Sequence, residues 1–187
     1  MIPTPLDVPR QIETPRMIIR CPRPGDGYVV NEAIRETFES LHIWMPWAKT
    51  QPTAAESENF ARETAARYRK GEDFAVTLWD KQSGAFIGAS GLHPRNWSVP
   101  SFEIGYWVRT SREGQGYVTE AVQALTAFAF TQFGAQRVMI RCDARNRRSA
   151  AVAERAGYTL EGVLRNEARA NDGSLRDTLV YARIAVA

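Results

Sequence analysis

The six residues Arg112-Glu113-Gly114-Gln115-Gly116-Tyr117 constrain this 187-residue chain most, because of what flanks them. Before them, Phe102-Glu103-Ile104-Gly105-Tyr106-Trp107-Val108 alternates well enough to predict a strand. After them, Val118, Ala121, Val122, Leu125 and Phe128 recur at helical spacing, and Gly134 supplies a stop, so Val118 to Phe133 is expected to be a helix. A strand, a glycine-paired turn and a helix start aim several backbone N–H groups and the positive end of a helix at one point, which suits a phosphate or pyrophosphate. Gly114 and Gly116 would let the backbone approach such an anion and take dihedrals closed to other residues.

Alone, a G-x-G pair before a helix is more often an ordinary tight turn. The dinucleotide fingerprint needs a third glycine where Thr119 stands, and the Walker loop needs Gly-Lys-Ser/Thr, so neither of those phosphate motifs is present.

Length and composition set the outer limits. The chain suits one domain with a substantial core, read as residues 1–187 with a short N-terminal extension over residues 1–11. No apolar run reaches membrane-spanning length, and residues 1–12 lack the pattern of a signal peptide. Cys21, Cys142, His42 and His93 have no metal-ligand spacing, so no metal is expected, and the expected setting is cytoplasmic with reduced thiols. Net charge is only +3, yet Arg137, Arg141, Arg145, Arg147 and Arg148 crowd one stretch. They read either as a funnel for a polyanion or as a solvated basic edge. No nucleic-acid-binding motif accompanies them, and neither nucleic acid nor membrane is an expected partner.

Along the chain, Arg16–Arg20 reads as a strand that Pro22-Arg23-Pro24-Gly25-Asp26 breaks. A helix follows from about Gly27 to Ser40. A second opens at the capping box Thr53-x-x-Glu56 and ends at Gly71. Phe74–Trp79 and Ala85–Leu92 form a hairpin, and residues 101–109 continue the sheet. Arg137–Asp143 is a further strand, Ser149–Ala156 a short helix, and two strands near 158–165 and 176–184 close around the turn Asn171-Asp172-Gly173. The order β-α-α-β-β-β-α-β-α-β-β is an α/β fold with a mixed sheet.

Several of these segments together resemble one family. Glu103–Val108 followed by Arg112-x-Gly114-Gln115-Gly116-Tyr117-x-Thr119-Glu120-Ala121 looks like the acetyl-CoA-binding motif of the GNAT N-acetyltransferases. Asn146–Tyr158 resembles that family's next segment, and Leu160–Arg165 its following strand. Ile12–Arg20 is similar to the first strand of the RimJ/RimL-like branch, which acetylates N-termini of ribosomal proteins. The resemblance covers roughly residues 12–184. One departure is Ser111, where the family usually carries Gln or Arg, with Arg112 one place later. The implied fold has a mixed, mostly antiparallel central sheet flanked by helices and splayed between its fourth and fifth strands.

The resemblance also implies roles. A backbone donor near Trp107 or Val108 would hold the thioester carbonyl. Gly114, Gln115, Gly116, Tyr117, Val118 and Thr119 would cradle the pyrophosphate of acetyl-CoA, with Thr119 equally eligible as a helix cap. Asn146 would bond the pantetheine arm and Ser149 would protonate the leaving thiolate, although either residue can also cap the short helix. Glu103, opposite in face to Ile104, Tyr106 and Val108, would act as general base or be only an exposed strand glutamate. The branch's second carboxylate has no exact counterpart, since Ala168 stands at the matching place beside Glu167. Trp44, Met45 and Trp47 fall where the family builds its acceptor pocket, or they make a core corner. His42, alone in an apolar stretch, reads as structural.

The implied activity is direct acetyl transfer from acetyl-CoA to a primary amine in a ternary complex. The expected acceptor is a protein N-terminal α-amine, such as that of a ribosomal protein. A small-molecule amine (polyamine or antibiotic) is the alternative, and a non-catalytic CoA-binding regulatory domain is the reading outside enzymology. A monomer or homodimer is expected.

Overall fold

The computed structural model describes residues 8–185. Eight strands form one sheet in the order β1-β2-β3-β4-β5-β6-β8-β7. They are β1 Gln11–Glu13, β2 Met17–Arg20, β3 Phe74–Asp80, β4 Phe86–Asn96, β5 Ser101–Val108, β6 Arg137–Asp143, β7 Thr159–Arg169 and β8 Leu175–Ile184. The helices are α1 Asp26–Trp44, α2 Ala54–Lys70, α3 Tyr117–Phe133 and α4 Arg147–Arg155. Every strand pairing is antiparallel except β5 with β6.

Alternation along β5 divides the molecule. Phe102 and Ile104 point into the main core, where Phe102 stacks on Phe133 of α3 at 5.0 Å and Phe133 meets Phe74 at 4.6 Å. Val122, Leu125 and Ala129 of α3 complete that layer. The opposite face carries Trp107, against which α1 packs through a smaller cluster of Ile34, Leu41 and Ala48. Glu58 of α2 ties the two early helices together by accepting the N–H groups of Gly25 and Gly27 at the start of α1, at 2.9 and 3.1 Å.

The parallel contact between β5 and β6 determines where a site can exist. It runs through only three register pairs, Ser101 with Arg137, Phe102 with Val138 and Glu103 with Met139. Beyond Glu103 the two strands diverge, while β4 stays paired with β5 as far as Val108. The sheet is therefore forked between the fourth and fifth strands of the sequence reading. The backbone groups of β5 that face the fork have no strand to bond.

Several expected boundaries are corrected. The N-terminal segment is a hairpin, because Pro15 turns the chain and the Thr14 N–H bonds the Met17 carbonyl at 2.9 Å. Gln11–Glu13 is therefore a strand, and Val8 is buried, so the expected extension over 1–11 is partly core; its residues 1–7 lie outside the described residues. Helix α1 runs on to Trp44, since Leu41 still faces the core and only Met45, made extended by Pro46, breaks the spiral. Strands β4 and β7 also run further than their turn residues suggest.

Candidate active site

A cavity of about 950 Å³ passes through the fork and opens on both faces of the sheet. On one face it meets Trp44, Met45, Trp47, Phe60 and Thr64; on the other it meets Tyr106, Cys142, Asn146 and Ser149. Divergence of β5 and β6 creates this passage.

The glycine turn lies at the end of β5. After Val108 a single 3-10 turn, Thr110–Arg112, leads to Gly114 with φ +71° and Gly116 with φ +79°, both in the left-handed region that favours glycine. Nothing lies within 4 Å of where a side chain at Gly114 would begin, so the loop is open above its backbone. Gly116 starts α3 and no side chain caps the helix; its first intrahelical bond runs from the Glu120 N–H to the Gly116 carbonyl at 3.1 Å. The N–H groups of Tyr117, Val118 and Thr119 are thus left to an external acceptor. Thr119 is not the cap, which corrects one of its two readings: it sits a turn inside, with a buried hydroxyl that has no partner among the described residues. Arg16 braces the loop from behind, donating to the Gln115 carbonyl at 2.9 Å and to Glu120 at 2.7 Å. The Tyr117 side chain is buried and donates to Asp80 at 2.8 Å, so only its backbone faces the loop. The uncapped helix, the open Gly114 and the orphan hydroxyl all fit a pyrophosphate.

The basic stretch does not form a single funnel. Arg137 pairs with Glu161, Arg141 with Glu167, Arg145 with Asp143 and Arg148 with Glu113. Arg137 and Arg141 share one face of β6 while Arg147 and Arg148 lie on α4, and only Arg147 of the five has no acidic partner among the described residues.

At the start of α4 the capping reading holds for Asn146 and not for Ser149. The Asn146 side chain accepts the Ser149 N–H at 3.0 Å and caps the helix, leaving the Ser149 hydroxyl free for other work. That hydroxyl lies 2.9 Å from the Tyr106 hydroxyl, which also donates to the Ser149 carbonyl at 3.0 Å. Burial pushes the Tyr106 phenol well above its ordinary range, so it stays protonated. Burial likewise raises the Cys142 thiol. Tyr106 is the residue that sequence reasoning missed, because its place on the Ile104 face marks it as core and only its hydroxyl reaches the cavity.

On the other face, Trp107 and Trp47 lie 6.5 Å apart, and Trp47 is 50% exposed. Trp44 ends α1, and the segment after it is pinned by Asn171, whose amide donates to the carbonyls of His42 and Met45 at 2.7 and 3.0 Å. His42 bonds the Ala48 carbonyl at 2.9 Å and is structural, as expected. Glu103 stands at the fork's apex with Arg95, whose Nε and Nη2 both reach Oε2, at 3.1 and 2.7 Å. Glu167 does reach the cavity, because β7 is irregular between Leu164 and Ala168 and Asn166 adopts φ +52°. Its carboxyl is held below the usual range by the Thr178 hydroxyl and by Arg141.

Comparison with known proteins agrees with this geometry. The acetyltransferase (GNAT) domain family matches residues 16–159. The chain is 31% identical over 147 residues to the ribosomal-protein-serine acetyltransferase of Escherichia coli, covering 75% of this chain and 79% of that protein. It is 30% identical over 167 residues to YdaF of Bacillus subtilis, whose name carries an unproven ribosomal N-acetyltransferase activity, covering 88% of each chain. Among solved structures, the microcin C7 self-immunity acetyltransferase MccE, in complex with acetyl-CoA and AMP, superposes with a TM-score of 0.86 at 22% identity, covering 95% of this chain and 97% of that one. At that identity the likeness is one of fold.

Proposed function

The chain belongs to the GNAT acetyltransferase family, in its RimJ/RimL-like branch, and on that premise we propose that it moves the acetyl group of acetyl-CoA to the α-amine of a protein N-terminus. One observation carries the reading. A single cavity joins the Ser149–Tyr106 pair on one face of the sheet to the Trp47 groove on the other. A thioester and an amine can then meet from opposite sides within the fork.

On the cofactor side, the N–H groups following Gly114 and Gly116, the Thr119 hydroxyl and the α3 dipole hold the pyrophosphate. Asn146 lies along the pantetheine path. Backbone groups of β5 near Trp107 and Val108, unpaired because β6 has turned away, stabilise the oxyanion that develops on the thioester carbonyl. Ser149 gives its hydroxyl proton to the departing sulfur, and Tyr106 stands behind it to replace that proton. Neither group has to carry charge before the C–S bond breaks.

On the acceptor side, Phe60 is an exposed large apolar residue that lines the cavity with Trp47, and an open apolar rim suits a chain end. The carboxylates within reach favour a singly charged amine over a polycation. Glu103, Asp143 and Glu167 are each balanced by an arginine, namely Arg95, Arg145 and Arg141, and Glu56 is occupied with Thr53 in the capping box of α2. A polyamine would have to displace those partners. Thiol release from acetyl-CoA, measured over a panel of N-terminal peptides, their N-blocked counterparts and free polyamines, tests the reading. Release with free-amine peptides alone is expected; release with polyamines alone would replace the acceptor class.

A further inference from the structure

The attacking nitrogen must lose a proton, and the residue expected from family resemblance, Glu103, has its Oε2 committed to Arg95. Directly across the strand pair from Glu103 stands His93. Resting on the acetyl-transfer reading above, we propose that His93, oriented by Asp73, is the base that takes this proton.

The argument starts from small residues. Ala75, Gly91 and Gly105 lie side by side on β3, β4 and β5, in register. A side chain begun at Gly91 would come within 3.0 Å of His93 Cε1 and 3.1 Å of Nε2; one begun at Gly105 would lie 3.6 Å from Nε2. The imidazole therefore lies over a floor that two glycines keep flat, with Nε2 leaning from β4 towards β5 and the fork. Both His93 and Gly105 line the cavity. Gly105 is two residues from Trp107, about 7 Å along a strand. That span accommodates an amine between the imidazole and the thioester, directly or through one water.

The other ring nitrogen is fixed. His93 Nδ1 lies 2.6 Å from Oδ1 of Asp73, a residue only 7% exposed just before β3. A carboxylate can only accept, so Nδ1 carries the hydrogen and Nε2 keeps its lone pair for the cavity. Arg67 of α2 approaches the second Asp73 oxygen at 3.6 Å and helps to hold it. The charged groups that face His93 are thus Asp73 with Arg67 behind it, and Glu103 with Arg95; Arg141, Glu167 and Asp143 lie across the fork.

The step balances. The amine nitrogen forms its bond to the carbonyl carbon as the C=O π pair moves onto oxygen, and Nε2 takes one N–H proton. When the oxygen pair returns, the C–S bond breaks and Ser149 protonates the sulfur. Solvent restores His93 to neutrality and returns the proton to the Ser149–Tyr106 pair once the products leave.

Two measurements test the dyad. With only two histidines in the chain, long-range ¹H–¹⁵N correlation of the rings in ¹⁵N-labelled protein is readily assigned. In the neutral ring, His93 is expected as the Nδ1–H tautomer. Asp73→Asn should move it towards Nε2–H. An Nε2–H tautomer in the unaltered protein overturns the assignment whatever the turnover. In kinetics, His93→Gln should lower kcat about a hundredfold or more, with KM for acetyl-CoA within about twofold. Asp73→Asn should lower kcat at least about tenfold, through the wrong tautomer. Profiles of kcat against pH for two acceptors of different amine pKa should share one limb that does not follow the amine, and His93→Gln should abolish it. If that limb survives in His93→Gln and disappears in Glu103→Gln, the base is Glu103 and the proposal is wrong. Absence of transfer to every amine overturns the functional reading and the dyad's role together; turnover unaltered by His93→Gln overturns the dyad alone.

Discussion

The two mouths of the passage through the sheet are built by opposite means. On the cofactor side, consecutive residues do the work. Gly114 to Thr119 set the loop, the helix start and its unsatisfied donors, and ion pairs such as Arg16–Glu120 and Arg148–Glu113 brace them. On the acceptor side, nothing is local. Trp44 ends α1 and Trp47 follows it, Phe60 and Thr64 come from α2, His93 and Glu103 from neighbouring strands, and Glu167 from the strand at the sheet's far edge. Backbone geometry fixes the first mouth and side-chain assembly the second. The first should therefore tolerate little substitution in its backbone, whereas the second should lose acceptor affinity by degrees.

The largest expected effect lies where the two mouths meet. Ser149→Ala should lower kcat by about a hundredfold while leaving acetyl-CoA affinity nearly intact, because the hydroxyl is needed only as the sulfur becomes anionic. Tyr106→Phe should show a smaller fall of the same kind, since it removes the group that resupplies Ser149. Steady-state kinetics beside calorimetric binding separate the two quantities. A lowered melting temperature with normal turnover would instead leave Ser149 as a helix-start residue.

Next comes the cofactor mouth itself. Gly116→Val should weaken acetyl-CoA binding at least about tenfold, or about 1.4 kcal/mol, because a β-branched residue cannot hold φ +79° without strain and the helix start would shift. Arg16 Nη2, 3.5 Å from the added atom, would stay in ordinary contact, so the effect comes from the backbone. Unchanged calorimetric affinity in a folded variant would defeat the pyrophosphate assignment. On the acceptor side, Trp47→Ala should raise the acceptor's KM several-fold and barely move that of acetyl-CoA, since half of the indole is open to solvent and its contact is the Trp107 ring. Equal changes in both constants would show that the segment is core and that the contrast between the mouths is misplaced.

The same contrast explains what could be read from the sequence. The glycine loop, the capped helices and the hairpin turns are specified by neighbours in the chain, so spacing alone placed them and the family motif named their use. The fork could be expected only through resemblance: the alternation of Val138, Ile140 and Cys142 looks like any half-buried strand, and nothing in it says that the pairing with β5 stops at Glu103. Tyr106 was hidden because its ring packs on the main core and nothing local in sequence says that its hydroxyl meets Ser149, forty-three residues away. His93 drew attention only as a failed metal ligand, since its partner Asp73 is twenty residues away and the floor beneath it depends on register among three strands. Of the two readings open for the basic run, the paired edge holds, because the carboxylates that neutralise it come from distant segments: Glu161 and Glu167 of β7 and Glu113 of the glycine loop.

The smallest effect concerns the contact that joins the two mouths. Glu36, on the helix that carries the acceptor segment, accepts from Arg109 Nε at 2.9 Å and from the Ser111 N–H at 2.7 Å, just before the glycine loop. Arg109, with the Ser111 N–H, lowers the Glu36 carboxyl from 4.5 to about 2. A carboxyl depressed on folding stabilises the fold above its unfolded value, and that stabilisation is lost as pH falls towards the folded one. Glu36→Gln should thus cost about 1 kcal/mol at pH 7, a modest figure because the pair is partly solvated. The difference from the unaltered protein should hold down to about pH 5 and shrink by more than half by about pH 3. Urea unfolding midpoints of both proteins across that range measure it. A cost independent of pH would mean that hydrogen-bond geometry, not charge, links the helix to the loop. If the link also transmits shape, the same variant should raise KM for acetyl-CoA slightly although it lies on the acceptor helix, and an unchanged KM would show that the two mouths are independent.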